Sequence, residues 1–526
     1  MTDIPFARMA NRALDWARTP EIEPMKFRPI AGLFAAIFAV CLLTNSSYAQ
    51  IYHPPTSSQD NAVNRALESV NPALIEADLR FMADDEMQGR DTTSREQRIA
   101  ARYIRARLER IGFQPGAGDG FLYQYPLEGR QLDRSSLAAT LTMNGEARSM
   151  SYGSDYVVAG QWAVADLESA GDIVYCGAGS KEDFDPEVMK GRWALCHYSG
   201  QPIWRIFSPA LQAGAVGLIM ITDPEAEVGS VVAHFKATNS KAFDVKVSWP
   251  SGGNARRGRP PFPILAFSDE LSSALLKDKP EVGAVLDSSF TEKRAMLADP
   301  IAAENVCGLW PGSDPVLKNE VIIVSAHYDH VGASGGLIFN GADDNGSGTC
   351  GMLALAEALV EYGPMKRSVM LIWVSGEEKG LWGSRAWSQK PSLADGMKAV
   401  ANINIDMIGR NDPKVLYVTP SPNHKSYNGL TKLMETFGTE EGFGDFPEGQ
   451  EQGFEGLGSA DDYYRRSDHA EFAKLGIPVC FLFAGVHDDY HKHTDTIEKI
   501  DYDKIHRVVR VVIKALNALQ ADELNL

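Results

Sequence analysis

The sequence predicts an α/β fold: a mixed, mostly parallel central sheet flanked by helices on both faces, with a smaller α+β domain inserted into it. Three observations carry this. The uninterrupted apolar runs Val321-Ile322-Ile323-Val324, Val369-Met370-Leu371-Ile372-Trp373-Val374 and Ile403-Asn404-Ile405 read as strands buried on both faces, as in a parallel sheet covered by helices. Each run leads into acidic or imidazole side chains: His327-Tyr328-Asp329-His330, Glu377-Glu378 and Asp406. Side chains that follow such strands gather along the carboxyl edge of the sheet, where open α/β sheets bind ligands. Between residues 131 and 290 the texture changes to short apolar runs bounded by turn residues, such as Asp172-Ile173-Val174-Tyr175 and Trp193-Ala194-Leu195-Cys196, which marks a separate domain.

At about 150 residues per domain, 526 residues give roughly three units. Residues 1–49 form an N-terminal extension and signal peptide: Met25-Lys26-Phe27-Arg28 is basic, Ile30 to Leu43 is apolar, and Ser47-Tyr48-Ala49 supplies the small residues of a cleavage site. Met25 is the expected start, because residues 1–24 are polar and mixed in charge. An apolar run of ~14 residues is short for a bilayer, so export without stable membrane insertion is expected, with an uncleaved anchor as the alternative. Residues 50–130 form the helical N-terminal part of the main domain, 131–290 the insert, and 291–526 the rest of the main domain. The balance of 51 Lys+Arg against 69 Asp+Glu, net −18, argues against nucleic acid as a partner and favours cations as ligands. Five cysteines follow the signal. Their odd number and wide spacing exclude a disulfide framework; Cys307, Cys350 and Cys480 lie in apolar contexts, and a Cys176 to Cys196 bridge stays open.

A helix is expected from about Pro72 to Met82, then a loop over Asp84 to Thr93. Ser94 and Gln97 form a capping-box pattern opening a helix with Ile99, Tyr103, Leu108 and Ile111 on its apolar side, ended by Gly112. In the insert, Ser248 to Pro263 is a Gly-, Pro- and Arg-rich surface loop, and His197 and His234 have no partner at ligand spacing. Glu304 to Leu309 is expected to pair with Val321 to Val324. The glycine-rich Gly341-Ala342-Asp343-Asp344-Asn345-Gly346-Ser347-Gly348 opens a helix. Later come a strand near Val415 to Val418, a helix near Tyr427 to Phe437, a long loop from Gly442 to Tyr464, a buried strand from Ile477 to Phe483, and Tyr490-His491-Lys492-His493-Thr494-Asp495-Thr496. A closing helix from about Asp501 buries Ile505, Val508, Val509, Val512 and Leu516.

Two imidazoles and three carboxylates, His327, Asp344, Glu378, Asp406 and His491, form a donor set suited to a pair of zinc ions. Two such ions ~3.5–4 Å apart acidify a shared water and grip the oxygen that develops charge. Asp329, two residues from His327 on an extended chain, points the same way and can orient its imidazole. Glu377, beside a ligand but directed elsewhere, is free to take the water's proton. His330, Asp343, His487 and His493 lie close by and are expected to shape or hydrate the site.

The order HYDH, GADDNGSG, SGEE, NIDMIG and YHKHTDT resembles the di-zinc aminopeptidase and glutamate carboxypeptidase family of co-catalytic metallopeptidases. The resemblance covers about residues 300–520 and extends to Met87-Gln88-Gly89-Arg90; the insert resembles a protease-associated domain. It implies a zinc-exopeptidase fold, two Zn²⁺ per chain, His327 and Asp406 on one zinc, Glu378 and His491 on the other, Asp344 as the bridge, Glu377 as general base and Asp329 as the orienter of His327. Asp344 is preferred to Asp343 because the family's bridging aspartate stands fourth in this turn, and His491 to His493 because the family's histidine lies four residues before the aspartate matching Asp495. Relatives usually carry proline where His493 stands, which bears on the shape of that loop. Tyr490 matches a tyrosine that stabilises the oxyanion in similar aminopeptidases. The implied function is an exported exopeptidase acting on peptides with a free N-terminus. Its alternatives are a carboxypeptidase, a glutaminyl cyclase with one zinc, or a receptor-like ectodomain without catalysis. Asp445, Glu448, Glu451, Glu455, Asp461 and Asp462 in the long loop favour binding of an ammonium group, while Arg465, Arg466, Arg256, Arg257 and Arg259 are the cations that could meet a carboxylate.

Overall fold

A computed structural model describes residues 59–159, 166–238, 245–250, 262–444 and 460–526. The signal segment, Arg256, Arg257, Arg259 and the acidic residues from Asp445 to Glu455 lie outside the described residues. The central sheet comprises β1 (Gln114–Pro115), β2 (Leu122–Leu132), β3 (Lys246–Ser248), β4 (Met296–Trp310), β5 (Glu320–His327), β6 (Ser368–Val374), β7 (Lys398–Asp406), β8 (Tyr417–Thr419) and β9 (Val479–Phe483). Their order is β8-β9-β7-β5-β6-β4-β2-β3, with β1 paired to β4. The neighbours β6, β5, β7 and β9 run parallel, and antiparallel strands extend the sheet on both sides. The parallel part is therefore the four-strand centre, and its carboxyl edge carries the acidic and imidazole residues.

Alternation along β5 and β6 feeds two cores. Ile322, Val324, Val369, Leu371 and Trp373 face a large cluster that also holds Ala100, Ile104 and Leu108 of the helix Arg95–Ile111, Met352 and Leu355 of Gly348–Tyr362, and Val508 and Val512 of Tyr502–Ala518. Val321, Ile323, Met370, Ile372 and Val374 face the opposite cluster with Trp387 of Trp382–Gln389 and Phe472 of His469–Ala473. Helices thus cover both faces of the parallel centre, so its continuous apolar runs need no polar side. Among the described residues, no helix is long and apolar enough to cross a membrane.

A second, eight-stranded sheet runs from Ala138 to Arg294, with the central order 285–294, 167–175, 193–198, 217–222, 264–267. Separate clusters cover its two faces, one around Ala194, Phe207 and Phe235, the other around Trp193, Phe267 and Phe290. Its entry and exit are the long pair β2 and β4, in register from Leu122↔Val306 to Leu132↔Met296. Lys246–Ser248 returns from within this region to pair with β2.

Several local expectations are corrected. β4 pairs with β6 and β2 and not with β5; both edges of β5 are taken by its parallel partners β6 and β7, so the strand that precedes it in sequence cannot sit beside it. In the helix Arg95–Ile111, Ile99 is 38% exposed, and the buried stripe is Ala100, Ala101, Ile104 and Leu108. Small residues define this face because the helix packs closely, a signal that apolar size conceals. Only half of the expected capping box forms: Gln97 N–H donates to Ser94 Oγ at 3.0 Å, while the Gln97 amide donates to the Tyr328 hydroxyl. The span Asp84 to Thr93 contains a 3₁₀ turn, Asp85–Arg90. Cys176, Cys196, Cys307, Cys350 and Cys480 are all free, buried thiols, and Cys176 Sγ packs 3.6 Å from Met189 Sδ.

That 3₁₀ turn delivers a fully buried guanidinium into the main domain. Arg90 donates to the carbonyls of Tyr328 (2.9 Å), Asn340 (2.8 Å), Gly341 (3.1 Å) and Met82. Gly89 makes the approach possible: its φ is +69°, and a Cβ there would lie 2.3 Å from the Phe339 carbonyl oxygen. One cation thus ties the segment after β5 to the turn before Asp343-Asp344. Arg90→Met should lower unfolding free energy by about 3 kcal/mol, the worth of roughly two charge-assisted hydrogen bonds with their carbonyls left dry. Urea unfolding checks this, and a loss below about 1 kcal/mol would contradict it.

Candidate active site

Five chain segments converge beyond the carboxyl edge. His327 ends β5, Asp406 ends β7, and Glu377-Glu378 follow β6 after a tight turn at Gly376 (φ +71°). Asp344 sits in the glycine-rich turn ahead of the helix Gly348–Tyr362, and His491 comes from the loop after β9. His327 Nε2 lies 3.2 Å from Asp406 Oδ1 and 3.3 Å from Asp344 Oδ1. On the other side, His491 Nε2 lies 3.1 Å from Asp344 Oδ2 and 3.0 Å from Glu378 Oε2. Asp344 thus offers one oxygen to each of two donor sets. All five sequence-identified residues are brought together.

These separations suit metal ligands. A tetrahedral ion with bonds of ~2.0–2.1 Å sets its donor atoms ~3.3–3.4 Å apart, close to the 3.0–3.3 Å between the imidazole nitrogens and carboxylate oxygens here. Buried polar atoms without partners point the same way, among them Glu378 Oε1 and both ring nitrogens of His330. Imidazole and carboxylate together fit zinc or another borderline divalent cation.

The surrounding contacts fix these side chains. Asp343 turns away from the cluster: Gly409 N–H donates to its Oδ1 at 2.7 Å, and its Oδ2 lies 3.3 Å from His487 Nε2. The Asp495 carboxylate accepts N–H bonds from both Asp343 and Asp344, and burial beside Asp343 pushes its pKa up to about 6. Ser467 Oγ donates to Asp406 Oδ2 at 2.8 Å. Asp329 accepts from Thr92 Oγ1 at 2.8 Å and from the Glu377 N–H at 3.3 Å. The expected grip of Asp329 on His327 takes a different form: Nδ1 is 3.1 Å from the Asp329 carbonyl oxygen and 3.8 Å from its carboxylate. The short Tyr328 link leaves the backbone oxygen nearer than the side chain. His493 stands outside the cluster, with its ring edge-on to Phe339.

Beside the cluster is a pocket lined by Asp344, Glu377, Asp406, Met407, Tyr463, Arg466, Phe481, Phe483, Val486 and Tyr490. Tyr490 also stacks on His491, ring centroids 3.8 Å apart. Burial and the nearby carboxylates hold its phenol protonated well above the ordinary range. Burial, with Glu378, Asp468 and Asp406 adding to it, raises the Glu377 carboxyl well above the usual range despite the opposing His327. Sequence reading missed Tyr463 and Met407 as pocket residues, and also Asp468, which hydrogen-bonds Ser384 at 2.6 Å and is pushed by burial to about 7. Asp468 follows Ser467 in Ser467-Asp468-His469, and only its position behind Asp406 reveals it.

Residues 305–516 match the model of peptidase family M28. Among curated proteins, leupeptin-inactivating enzyme 1 of Streptomyces exfoliatus is 28% identical over 298 residues, covering 55% of this chain and 56% of that protein. Aminopeptidase YwaD of Bacillus subtilis is 25% identical over 348 residues, covering 65% of each. The chain thus spans between about half and two thirds of the length of these relatives. Among solved structures, the aminopeptidase from Aneurinibacillus sp. strain AM-1 superposes with a TM-score of 0.48 at 20% identity, covering 86% of this chain and 95% of that one.

Without metal, both imidazoles of this site carry protons. Burial would depress His327, but the Asp406 charge and the hydrogen bonds its imidazole donates to Asp344 and Asp406 hold it well above the ordinary 6.5. Burial likewise opposes His491, yet Asp344 and Glu378 raise it to about 10. The stabilising contribution of His491 is therefore complete below about pH 6.5 and fades as pH rises through about 10. A metal must displace these protons. Zinc titration of the metal-free protein at pH 7.5 should release two or more protons, read from calorimetry in buffers of different ionisation enthalpy; uptake heats independent of buffer would contradict this.

Proposed function

We propose that the protein is an exported zinc aminopeptidase that removes N-terminal residues from peptides, with two Zn²⁺ per chain. The observation that carries this reading is the pair of donor sets sharing Asp344, with Glu377 beside them in the wall of a pocket lined by both carboxylates and apolar side chains. The names of relatives matched over the M28 segment, an aminopeptidase among them, support the reaction class. Export rests on the segment from Met25 to Ala49. Residues 131–290 are assigned to a protease-associated-like domain on the resemblance of the sequence.

His327 and Asp406 would hold one ion, Glu378 and His491 the other, and Asp344 both. The ions supply Lewis acidity, acidifying a water and polarising the scissile carbonyl. Glu377 takes the water's proton on its carboxylate and passes it to the leaving amine. Tyr490, a protonated phenol in the pocket wall, donates to the developing oxyanion. Asp344, Glu377 and Asp406 give the pocket a negative wall for the substrate's ammonium group, and Met407, Phe481, Phe483 and Val486 receive an apolar side chain. Thr92 and the Glu377 N–H hold Asp329, which fixes the path of the chain after His327.

One observation favours a second reading. Arg466 lines the same pocket, and a guanidinium there can hold a terminal carboxylate, as a carboxypeptidase requires. A glutaminyl cyclase with one zinc is disfavoured by the presence of both donor sets, and a non-catalytic ectodomain by the absence of any lost ligand.

Glu377→Gln should lower kcat by ~10²–10⁴-fold while elemental analysis still finds about two zinc ions per chain. Wild-type turnover in that variant would refute the assignment of the base. N-acetylation of an aminoacyl anilide should lower kcat/KM at least tenfold, about 1.4 kcal/mol for a lost charge-assisted contact. Equal rates on blocked and free N-termini, or preferred release of a C-terminal residue, would assign the site to the Arg466 reading.

A further inference from the structure

The turn that carries Glu377 and Glu378 is conformationally costly. Gly376 (φ +71°), Gly380 (φ +103°) and Leu381 (φ +61°) all take left-handed backbone. For Leu381, which has a Cβ, that conformation persists only where its surroundings enforce it. Part of the enforcement is local: the Gly380 and Leu381 N–H groups donate to the Glu377 carbonyl at 2.8 and 3.0 Å, and the Trp382 N–H to the Gly376 carbonyl at 2.8 Å. The remainder comes from side chains at the two ends of the turn. At its start, the Tyr125 hydroxyl donates to the Ser375 carbonyl oxygen at 3.1 Å and lies 2.9 Å from Ser375 Oγ. A Cβ on Gly376 would stand 3.0 Å from that hydroxyl, so the turn is pressed against it. At the far end, Arg385 Nη2 donates to the Gly380 carbonyl at 3.0 Å.

One side chain touches both of these holders, and it comes from the insert. Trp249 directly follows β3, which lies antiparallel on β2 with Val247 opposite Gly129. A Cβ on Gly129 would lie 2.9 Å from Val245 Cγ1, so the returning segment approaches β2 as closely as glycine permits. The Trp249 ring centroid is 6.2 Å from that of Tyr125, with the planes tilted by 31°, and the Arg385 guanidinium stands 5.4 Å over the indole. Both contacts draw on the negative face and positive edge of an aromatic ring. Arg385 Nε is 3.7 Å from Glu471 Oε1, beyond hydrogen-bond reach, which leaves the indole face to orient its guanidinium toward the Gly380 carbonyl. A packing role alone would need only an apolar side chain here, since Val247 and Ile301 already pack against Tyr125, Leu127 and Trp382 in the same cluster. An aliphatic residue would keep that cover and offer no face to a guanidinium.

We propose that Trp249 is a positioning residue through which the insert holds the turn of Glu377 and Glu378, acting on its start through Tyr125 and on its end through Arg385. The inference rests on the roles proposed above for Glu377 and Glu378. It adds that the base is placed partly by a residue outside the segment 305–516.

The test compares Trp249→Leu and Trp249→Phe with the wild-type full chain in the presence of zinc. Steady-state kinetics on an aminoacyl anilide are paired with amide hydrogen exchange of the peptide spanning residues 375–384. In Trp249→Leu, kcat should fall roughly tenfold with KM changed less than about threefold, as for a group displaced from its place in the transition state. Exchange of the Gly380 to Gly383 amides should quicken by about tenfold. Trp249→Phe, which keeps an aromatic face, should recover most of both losses. Unchanged exchange in Trp249→Leu, faster exchange without a fall in kcat, or a Phe variant as impaired as the Leu variant would overturn the inference. Wild-type kcat in Trp249→Leu beside an inactive Glu377→Gln would overturn it while leaving the aminopeptidase reading intact. A wild-type protein that cleaves no aminoacyl anilide would count against that reading instead, and the exchange data alone would then decide whether Trp249 holds the turn.

Discussion

The constraint on which the main domain depends is the position of one carboxylate. Asp344 must present an oxygen to His327 and another to His491, which come from opposite ends of the domain sequence. Nothing in the Asp344 side chain secures this; the backbone around it does. Asp495 accepts the amides of Asp343 and Asp344, and Arg90 holds the Asn340 and Gly341 carbonyls. The Asn345 amide reaches the Ile405 carbonyl, while its oxygen accepts from Gly348 and Met407. The turn is thereby fastened to β7, to the His491 loop and to the N-terminal 3₁₀ turn at once. Buried networks of this kind hold only if nearly every member is satisfied. Glu378 Oε1 is among the buried polar atoms left without a hydrogen bond.

The strand-end residues were legible because two periodicities agree on them. Continuous apolar runs mark the parallel centre, and the ionisable residues within a few positions of each run's end emerge at the carboxyl edge of the sheet. His327, Glu378 and Asp406 follow from that rule without knowledge of the tertiary structure. Other features lay out of reach for reasons equally physical. The partner of β4 depends on which strand returns between it and β5, and this is fixed by the crossover through the helix Gly348–Tyr362, not by the composition of either strand. Ile99 is exposed because alanines, not large residues, make the close face of its helix. Tyr463 reaches the pocket through a turn whose sequence resembles any polar loop. His330 follows Asp329 at a spacing suggesting a residue beside the cluster, and only its burial between Glu378 and Asp344 shows how near it comes.

The insert illustrates a different relation between sequence and structure. Its short strands and frequent glycines identify a separate sheet, joined along the chain to the main domain through β2 and β4. Those strands continue past the central sheet until Leu132 pairs with Met296. At this end lies a buried ion pair, Arg294 Nη1 to Glu292 Oε1 at 3.3 Å, with Tyr156 close by. Burial raises Glu292 and lowers Arg294, and each partner opposes the shift of the other. Replacing both by apolar residues of similar volume is commonly neutral or stabilising, whereas removing one leaves an uncompensated buried charge. The pair is therefore a weak argument for stability, although losing either partner alone would be costly.

Electrostatics couples the general base to the metal-binding cluster. In the metal-free protein burial and three neighbouring carboxylates hold Glu377 protonated, and a protonated carboxyl cannot accept a proton from water. The same acidic surroundings that make the cluster a cation site thus keep its base inactive until the cations arrive. Bound divalent ions are the largest local charges in such a site and reverse the preference of nearby acids. Asp468, behind Asp406 and within the field of the same groups, is held near neutrality by the same burial, so the response to metal extends one layer behind the ligands. If Glu377 is the base, as proposed, its activity and the metal content of the cluster are linked through this shared electrostatics.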